Sequence, residues 1–487
     1  MNALSFCCTK SSKVLLGILF LAFCFGCQKD FMETEGVFEP VSLKSATVAS
    51  TEINNLMVIT KAEELPAGFE GELSAYGEVV NSIPEIGMVV IKPAALNSAA
   101  KIARLKDVQA VIPDLNVKWI EPDELADDAN QLSIGDNETF FGYQWGMDAI
   151  DAPEAWDAGY TGRGARVFIL DSGIDANNPD LSPNLNKGLS KSFVEGENYY
   201  VRDGRFSHHG THVAGIIAAA DNNWGVIGVA PNAEIVAVKV VSEYTGSGYF
   251  SWIFQGIIYA ANNEADVINM SLGALFNRNG NYLDDDNVWQ QAPANAVQYL
   301  IVVGKRTVNY AVKKGAVVIA AAGNDGMNSD GNASLFTLPA DLENVIAVSA
   351  TAPYGWIQDQ DGSLDIPASY TNYGVSLVDL AAPGGDFDFP VVDPVYGPLY
   401  RYDMVLSTGA GPLPGTNTWS FYWLAGTSMA SPHVAGVAAL IIGKNGGEMK
   451  PVDVMQQLFK TADKIDKNGI SDYYGNGRVN AFRAVTE

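Results

Sequence analysis

Five short apolar runs, 166–171, 234–241, 265–273, 315–323 and 345–351, are rich in Val, Ile and Ala and show no polar alternation. A strand with one wet face alternates; a run without alternation fits a strand buried on both faces, which is the habit of parallel sheets. Segments with helical spacing lie between the runs, near 209–220, 249–263, 295–314 and 427–443. Strands alternating with helices predict an α/β fold with a mainly parallel sheet covered on both faces. Ligand sites in such sheets sit at the carboxyl ends of the strands, so the residues closing each run are the place to look for chemistry.

At 487 residues and 47% hydrophobic, the chain can bury one large domain and a smaller companion. Its formal net charge of −26 argues against nucleic acid or an anionic membrane surface as the main partner, because no basic stripe exists to release counterions. All four cysteines, Cys7, Cys8, Cys24 and Cys27, precede residue 28, so the body has neither a disulfide framework nor a Cys-based zinc site. Lys10 and Lys13 stand ahead of an apolar run, 14–26, that is shorter than the roughly 18 residues of a membrane span. Residues 1–26 therefore read as a secretory signal, and 27–53, polar and without periodicity, as a tether. Within 54–121, strand-like runs at 56–59, 87–91 and 108–112 with a helical stretch at 96–105 predict a small α+β domain. The acidic, Pro-containing stretch 122–143 reads as an exposed linker open to proteolysis, ahead of the large domain at 144–487.

Asp171 closes the first buried run, and a carboxylate left there needs a hydrogen-bonding partner. The only histidines are His208, His209, His212 and His433; His209 opens a helix in His-Gly-Thr-His-Val-Ala-Gly. Ser428 opens another in Gly-Thr-Ser-Met-Ala-Ser-Pro-His, with Pro432 expected in the tolerant first turn. Backbone N–H groups at such a helix start favour an oxyanion forming beside the serine. A hydroxyl is a poor nucleophile near neutral pH; it needs a base, and the base needs a group that fixes its tautomer. Asp171, His209 and Ser428 supply that set, in the chain order Asp, His, Ser, which contradicts the order of α/β-hydrolases. Taken singly, Ser428 reads as a helix cap, Asp171 as a strand-end cap and His209 as an interior histidine; taken together the plain readings fail.

On these motifs residues 144–485 resemble the subtilisin-type serine peptidases, the subtilases. The match extends over Gln144-Trp145-Gly146-Met147, Asp171-Ser172-Gly173-Ile174-Asp175 and the closing Gly475-Asn476-Gly477-Arg478-Val479-Asn480-Ala481. The resemblance implies a three-layer αβα fold with a mainly parallel central sheet, preceded by a small α+β, ferredoxin-like propeptide that blocks the cleft as an intramolecular inhibitor. It assigns Asp171, His209 and Ser428 to the catalytic triad and Asn324 to the oxyanion hole. Gly246, Ser247 and Gly248 with Ser271, Leu272 and Gly273 would flank a bound peptide, and Ala321, Ala322 and Gly323 would line the first specificity pocket. Small uncharged residues there predict a preference for bulky apolar side chains. A structural calcium site is implied at Asp180, Ala220, Asn222, Trp224 and Val226, the last four in the loop after the His209 helix. Cys24-Phe25-Gly26-Cys27 resembles the lipobox of bacterial lipoproteins, making Cys27 the lipidated mature terminus. Cys24 replaces the usual aliphatic residue, so an ordinary signal peptide cut nearby is the alternative.

The expectation is an exported serine endopeptidase acting on proteins or peptides, placed in the bacterial cell envelope by its anchor. Nucleic acid is not an expected partner, and the membrane enters only through Cys27. Its rival is a surface binding protein that keeps the scaffold but is permanently blocked; an esterase is a third reading. His208 and His212 invite a metal reading, yet no Glu completes an HExxH pattern, and His212 is read as packed structurally. The acidic run 284–287 within 274–294 reads as a solvated loop, and the aromatics of 385–424 as loop packing.

Overall fold

The computed structural model describes residues 55–120, 126–127, 137–202, 206–284, 286, 288–330, 334–393, 397–412, 419–466 and 469–487. The expected signal, tether and lipidated Cys27 lie outside the described residues. The described residues all belong to one compact unit.

Its centre is an eight-stranded sheet with the main order Ile366–Pro367, Val345–Ala352, Val317–Ala321, Val267–Met270, Arg166–Asp171, Glu234–Lys239 and Lys191–Ser192, and Leu380–Pro383 pairs beside Val345–Ala352. Every pairing in it is parallel except that of the edge strand Ile366–Pro367. All five apolar runs became strands of this sheet. The strand Arg166–Asp171 explains the missing alternation: Val167 and Ile169 enter one core, Phe168 and Leu170 the other. The first core is closed by the helices Ser207–Ala218 and Thr427–Lys444, the second by Phe250–Asn262 and Ala294–Lys314. This is the subtilisin-like three-layer arrangement. Lys313 and Lys314 occupy the last turn of the longest helix, and Gly315, at φ 113°, ends it in the left-handed conformation.

Residues 56–113 form a four-stranded antiparallel sheet in the order Gly77–Ile83, Met88–Pro93, Leu56–Thr60, Val108–Pro113, with the helices Phe69–Leu73 and Ser98–Ile102 inserted. That is the ferredoxin-like order. Met57, Ile59, Met88, Val90, Ala110 and Ile112 share a core with the helices Phe250–Asn262 and Ala294–Lys314. Beyond the sheet, Asn116–Lys118 pairs antiparallel with Ser247–Tyr249, and Ala126–Asp127 pairs with the strand Trp419–Leu424 just before Ser428. Residues 137–143, grouped by sequence with the linker, pack into the body instead: Glu138 is fully buried, and Phe141 and Tyr143 nearly so. Tyr143 lies against Trp423 and Tyr402. The stretch 274–294 is not a plain loop; Ala274–Asn277, Asn281–Leu283 and Trp289–Gln291 build a small sheet on Leu335–Leu338. Among the described residues no helix is long and apolar enough to cross a membrane.

Candidate active site

Asp171, at the carboxyl end of its strand, and His209, in the first turn of the helix Ser207–Ala218, are both buried. His209 Nδ1 lies 2.8 Å from Asp171 Oδ1, which also accepts the Ser172 backbone N–H at 2.6 Å. This approach needs Gly210: a Cβ there would stand 2.3 Å from the Gly173 carbonyl oxygen and 2.9 Å from Asp171 Oδ1. The neighbouring histidines have other partners. His212 is fully buried with Nε2 against the carbonyls of Tyr422 (2.9 Å) and Val405 (3.1 Å), and burial pushes its pKa down to about 3, so it stays neutral. His208 Nδ1 accepts the Ala410 N–H at 3.0 Å. His433 Nδ1 bonds the Met429 carbonyl at 2.8 Å, and burial lowers its pKa to about 4.

Ser428 is the second residue of the helix Thr427–Lys444, and its hydroxyl donates to the Ser271 carbonyl at 3.1 Å. Pro432 lies deeper than expected, as the sixth residue of that helix. Its missing N–H would have bonded the Ser428 carbonyl four residues back. Ser271 Oγ takes that place, donating to the Ser428 carbonyl at 2.7 Å and lying 2.9 Å from Ser431 Oγ. Asn324 follows the strand Val317–Ala321 and is oriented by Thr427, whose N–H (2.9 Å) and Oγ1 (2.7 Å) both donate to Asn324 Oδ1. The amide Nδ2 is thereby turned toward Gly426, beside Ser428, where a Cβ would lie 3.5 Å away. Thr427 escaped the sequence reading, although it sits inside the serine motif.

A cavity of about 80 Å³ reaches Ser428 and Asn324 and is lined in part by Gly273, Ala321, Gly323, Asp325 and Thr337. Gly273 lines it, and Gly246–Gly248 together with Gly273 hold a strand of the chain itself. The N–H groups of Trp119 and Ile120 donate to the Gly246 carbonyl (3.0 and 3.2 Å), the Gly273 N–H to the Trp119 carbonyl (3.2 Å), and Trp119 Nε1 to the Gly248 carbonyl (2.8 Å). Leu272 and Ala322 face the hydrophobic core instead of the cavity. The lining also differs from the small, uncharged set read from sequence. Asp325, whose carboxyl burial pushes above its ordinary value, accepts Asn372 Nδ2 at 3.0 Å, and the Thr337 side chain stands across from Gly273.

The expected cation loop is tightly built. Asp180 is fully buried; its Oδ1 accepts Asn222 Nδ2 at 3.0 Å, its Oδ2 the Val226 N–H at 3.1 Å and its carbonyl the Ala220 N–H at 2.8 Å. Gly225, at φ 67°, leaves no room for a Cβ, which would fall 2.1 Å from Asp180 Oδ2. Trp224 packs its ring on Phe421 at 5.2 Å. The sequence reading missed Glu138, whose Oε1 accepts the N–H groups of Asn222 and Asn223 at 3.0 Å each. Its signal is weak, a lone Glu in an acidic linker. Asn222 Oδ1 is buried with no hydrogen-bond partner. Two buried carboxylates, Asp180 and Glu138, meeting an unsatisfied amide oxygen of Asn222 from three separate segments fit a hard cation. Among the described residues no group of three or more His, Cys, Asp or Glu gathers to hold a metal.

Residues 162–477 match the subtilase family. The chain is 36% identical over 451 residues to subtilisin E of Bacillus subtilis, covering 92% of this chain and 94% of the relative. It is 39% identical over 341 residues to a Bacillus pumilus subtilisin, covering 70% of this chain and 98% of that one. Among solved structures it is similar to the epidermin leader peptide processing serine protease of Staphylococcus aureus, with TM-score 0.68, 25% identity, and coverage of 89% of this chain and 97% of the other. The chain belongs to the subtilase family and is a serine endopeptidase of the subtilisin type.

Proposed function

We propose that the protein is exported to the bacterial cell envelope, anchored through a lipid on Cys27, and made as a latent precursor whose residues 54–121 occupy its own cleft. The observation that carries the latent-precursor reading is the segment Asn116–Ile120, laid as an added strand along Gly246–Gly248 and against Gly273, beside Ser428; export and the anchor rest on the sequence of residues 1–27. Peptides bind subtilases in the same mode of strand addition, so the segment stands where a substrate would.

In catalysis Ser428 leaves the Ser271 carbonyl and attacks the peptide carbonyl. With Nδ1–H donated to Asp171, His209 presents the Nε2 lone pair that takes the serine proton. His209 then returns the proton to the leaving amine, the acyl-enzyme forms, and water attacks it by the same route. Asn324 Nδ2 and the Ser428 N–H hold the oxyanion, and Thr427 keeps the amide from turning. Asp180, Glu138 and the Asn222 side chain, with the Ala220, Trp224 and Val226 carbonyls, would hold calcium. The ion would tie the segment carrying Glu138 to the loop after the His209 helix.

Intact masses of the purified chain beside Ser428→Ala test the reading. The wild type should be cut between 121 and 143 and then hydrolyse casein, while the mutant stays whole, folded and inert. A mutant that cuts itself and keeps activity sinks it.

A further inference from the structure

Arg306 lies within the helix Ala294–Lys314, at the seam with the N-terminal sheet and outside the cavity that reaches Ser428. Its Nη1 donates to the carbonyls of Thr60 (3.1 Å), Ala62 (3.3 Å) and Ile86 (3.3 Å), and its Nη2 to Gln109 Oε1 (3.0 Å). These acceptors come from three separate places: the first strand and the turn after it, the turn before Met88, and the strand Val108–Pro113. One planar fork thus gathers the end of the sheet, mostly through main-chain oxygens. Around it, Glu63, Glu64 and Glu85 of the N-terminal sheet share a crevice with Lys313. Residues 294–314 carry Lys305, Arg306, Lys313 and Lys314 and no Asp or Glu.

We propose that Arg306 is an exosite latch: it holds the cleaved N-terminal domain on the body from outside the cleft and sets how long the peptidase stays latent after the cut. The inference rests on the reading of residues 54–121 as an inhibitory propeptide. Once the chain is cut, the cleft strand and the shared core act against dissociation into two pieces, and each acceptor that Arg306 satisfies must be returned to water before release. Charge-assisted hydrogen bonds to a guanidinium are among the stronger polar contacts, so their removal acts on the rate of departure. Arg306 touches no residue of the Asp171–His209–Ser428 set, so the chemistry itself is untouched.

The test compares full-length wild type with Arg306→Gln, following the cut by intact mass and activity with a short chromogenic peptide. Both chains should be cut at the same rate. Activity in the variant should then appear about tenfold sooner, the N-terminal fragment should leave the body on size exclusion, and kcat/KM after full activation should match wild type. Arg306→Lys keeps the charge without the fork; it should fall between the two, and it decides the matter if the glutamine variant does not fold. Equal lags in cut wild type and variant overturn the latch and leave the propeptide reading standing. A wild-type chain that is active without being cut removes the propeptide reading and the latch with it.

Discussion

The central sheet and the N-terminal sheet meet the same helices on opposite terms. The central sheet buries both faces inside the body, and the residues of strands such as Val317–Ala321 and Val345–Ala352 are buried without exception. The N-terminal sheet presses one face onto the helices Phe250–Asn262 and Ala294–Lys314 and closes the other with two five-residue helices over Val58, Phe69, Leu73, Val89, Ile91, Ile102 and Val108. One sheet owns its core; the other borrows half of it. A domain built this way holds firmly while docked and has little to keep it folded apart from the body, which suits the proposed role of a propeptide.

The sharpest way to break this contrast is to remove the body. Residues 55–120 alone should be largely unfolded by circular dichroism, since Met57, Ile59, Met88, Val90, Ala110 and Ile112 would face water and a chain of this size has little core to spare. A cooperative melt of the isolated segment would mean that the sheet does not borrow its stability.

A smaller effect is expected at the polar end of the seam. Asp114 Oδ1 and Oδ2 accept the Ser251 N–H (3.2 Å) and Oγ–H (2.7 Å) at the start of the helix Phe250–Asn262. Burial pushes the Asp114 pKa up to about 7, against the opposing pull of those hydrogen bonds. The docked form therefore binds a proton that the released form, near its ordinary 3.8, gives up. Docking is strongest below the released value and weakens as pH rises toward 7, then levels. Release of the cut fragment should be about 10- to 100-fold faster at pH 8 than at pH 5, and Asp114→Asn should flatten the dependence. A wild-type release rate that is level across this range removes Asp114 from the account.

The smallest effect concerns the body's own edge. Glu138→Gln should cut the gain in Tm that calcium gives over chelator by about 2–4 °C, with the docked sheet unaffected. An unchanged gain would show that Glu138 serves the loop N–H groups alone.

What the sequence revealed follows from how local each signal is. Asp171, His209, Asn324 and Ser428 stand at strand ends and helix starts inside contiguous motifs, so neighbours along the chain announce them. The five buried runs were long enough to show their missing alternation. Lys191–Ser192 and Ile366–Pro367 are too short for any period, and Phe69–Leu73 makes little more than one turn. Arg306, Glu138 and Thr337 owe their importance to partners brought together only by folding, and nothing adjacent to them in the sequence marks it. The polar lining contributed by Asp325 was hidden for the same reason, because Asn372 reaches Asp325 from another element and Thr337 joins the lining from a third.

By withholding one N–H, Pro432 hands the Ser428 carbonyl to Ser271, a residue of the segment that runs on to Gly273. On the proposed mechanism, that bond ties the nucleophile to the segment that would flank the peptide, in addition to its own helix. A displacement of that segment would then pull on the Ser428 main chain as well, so grip and nucleophile would shift together.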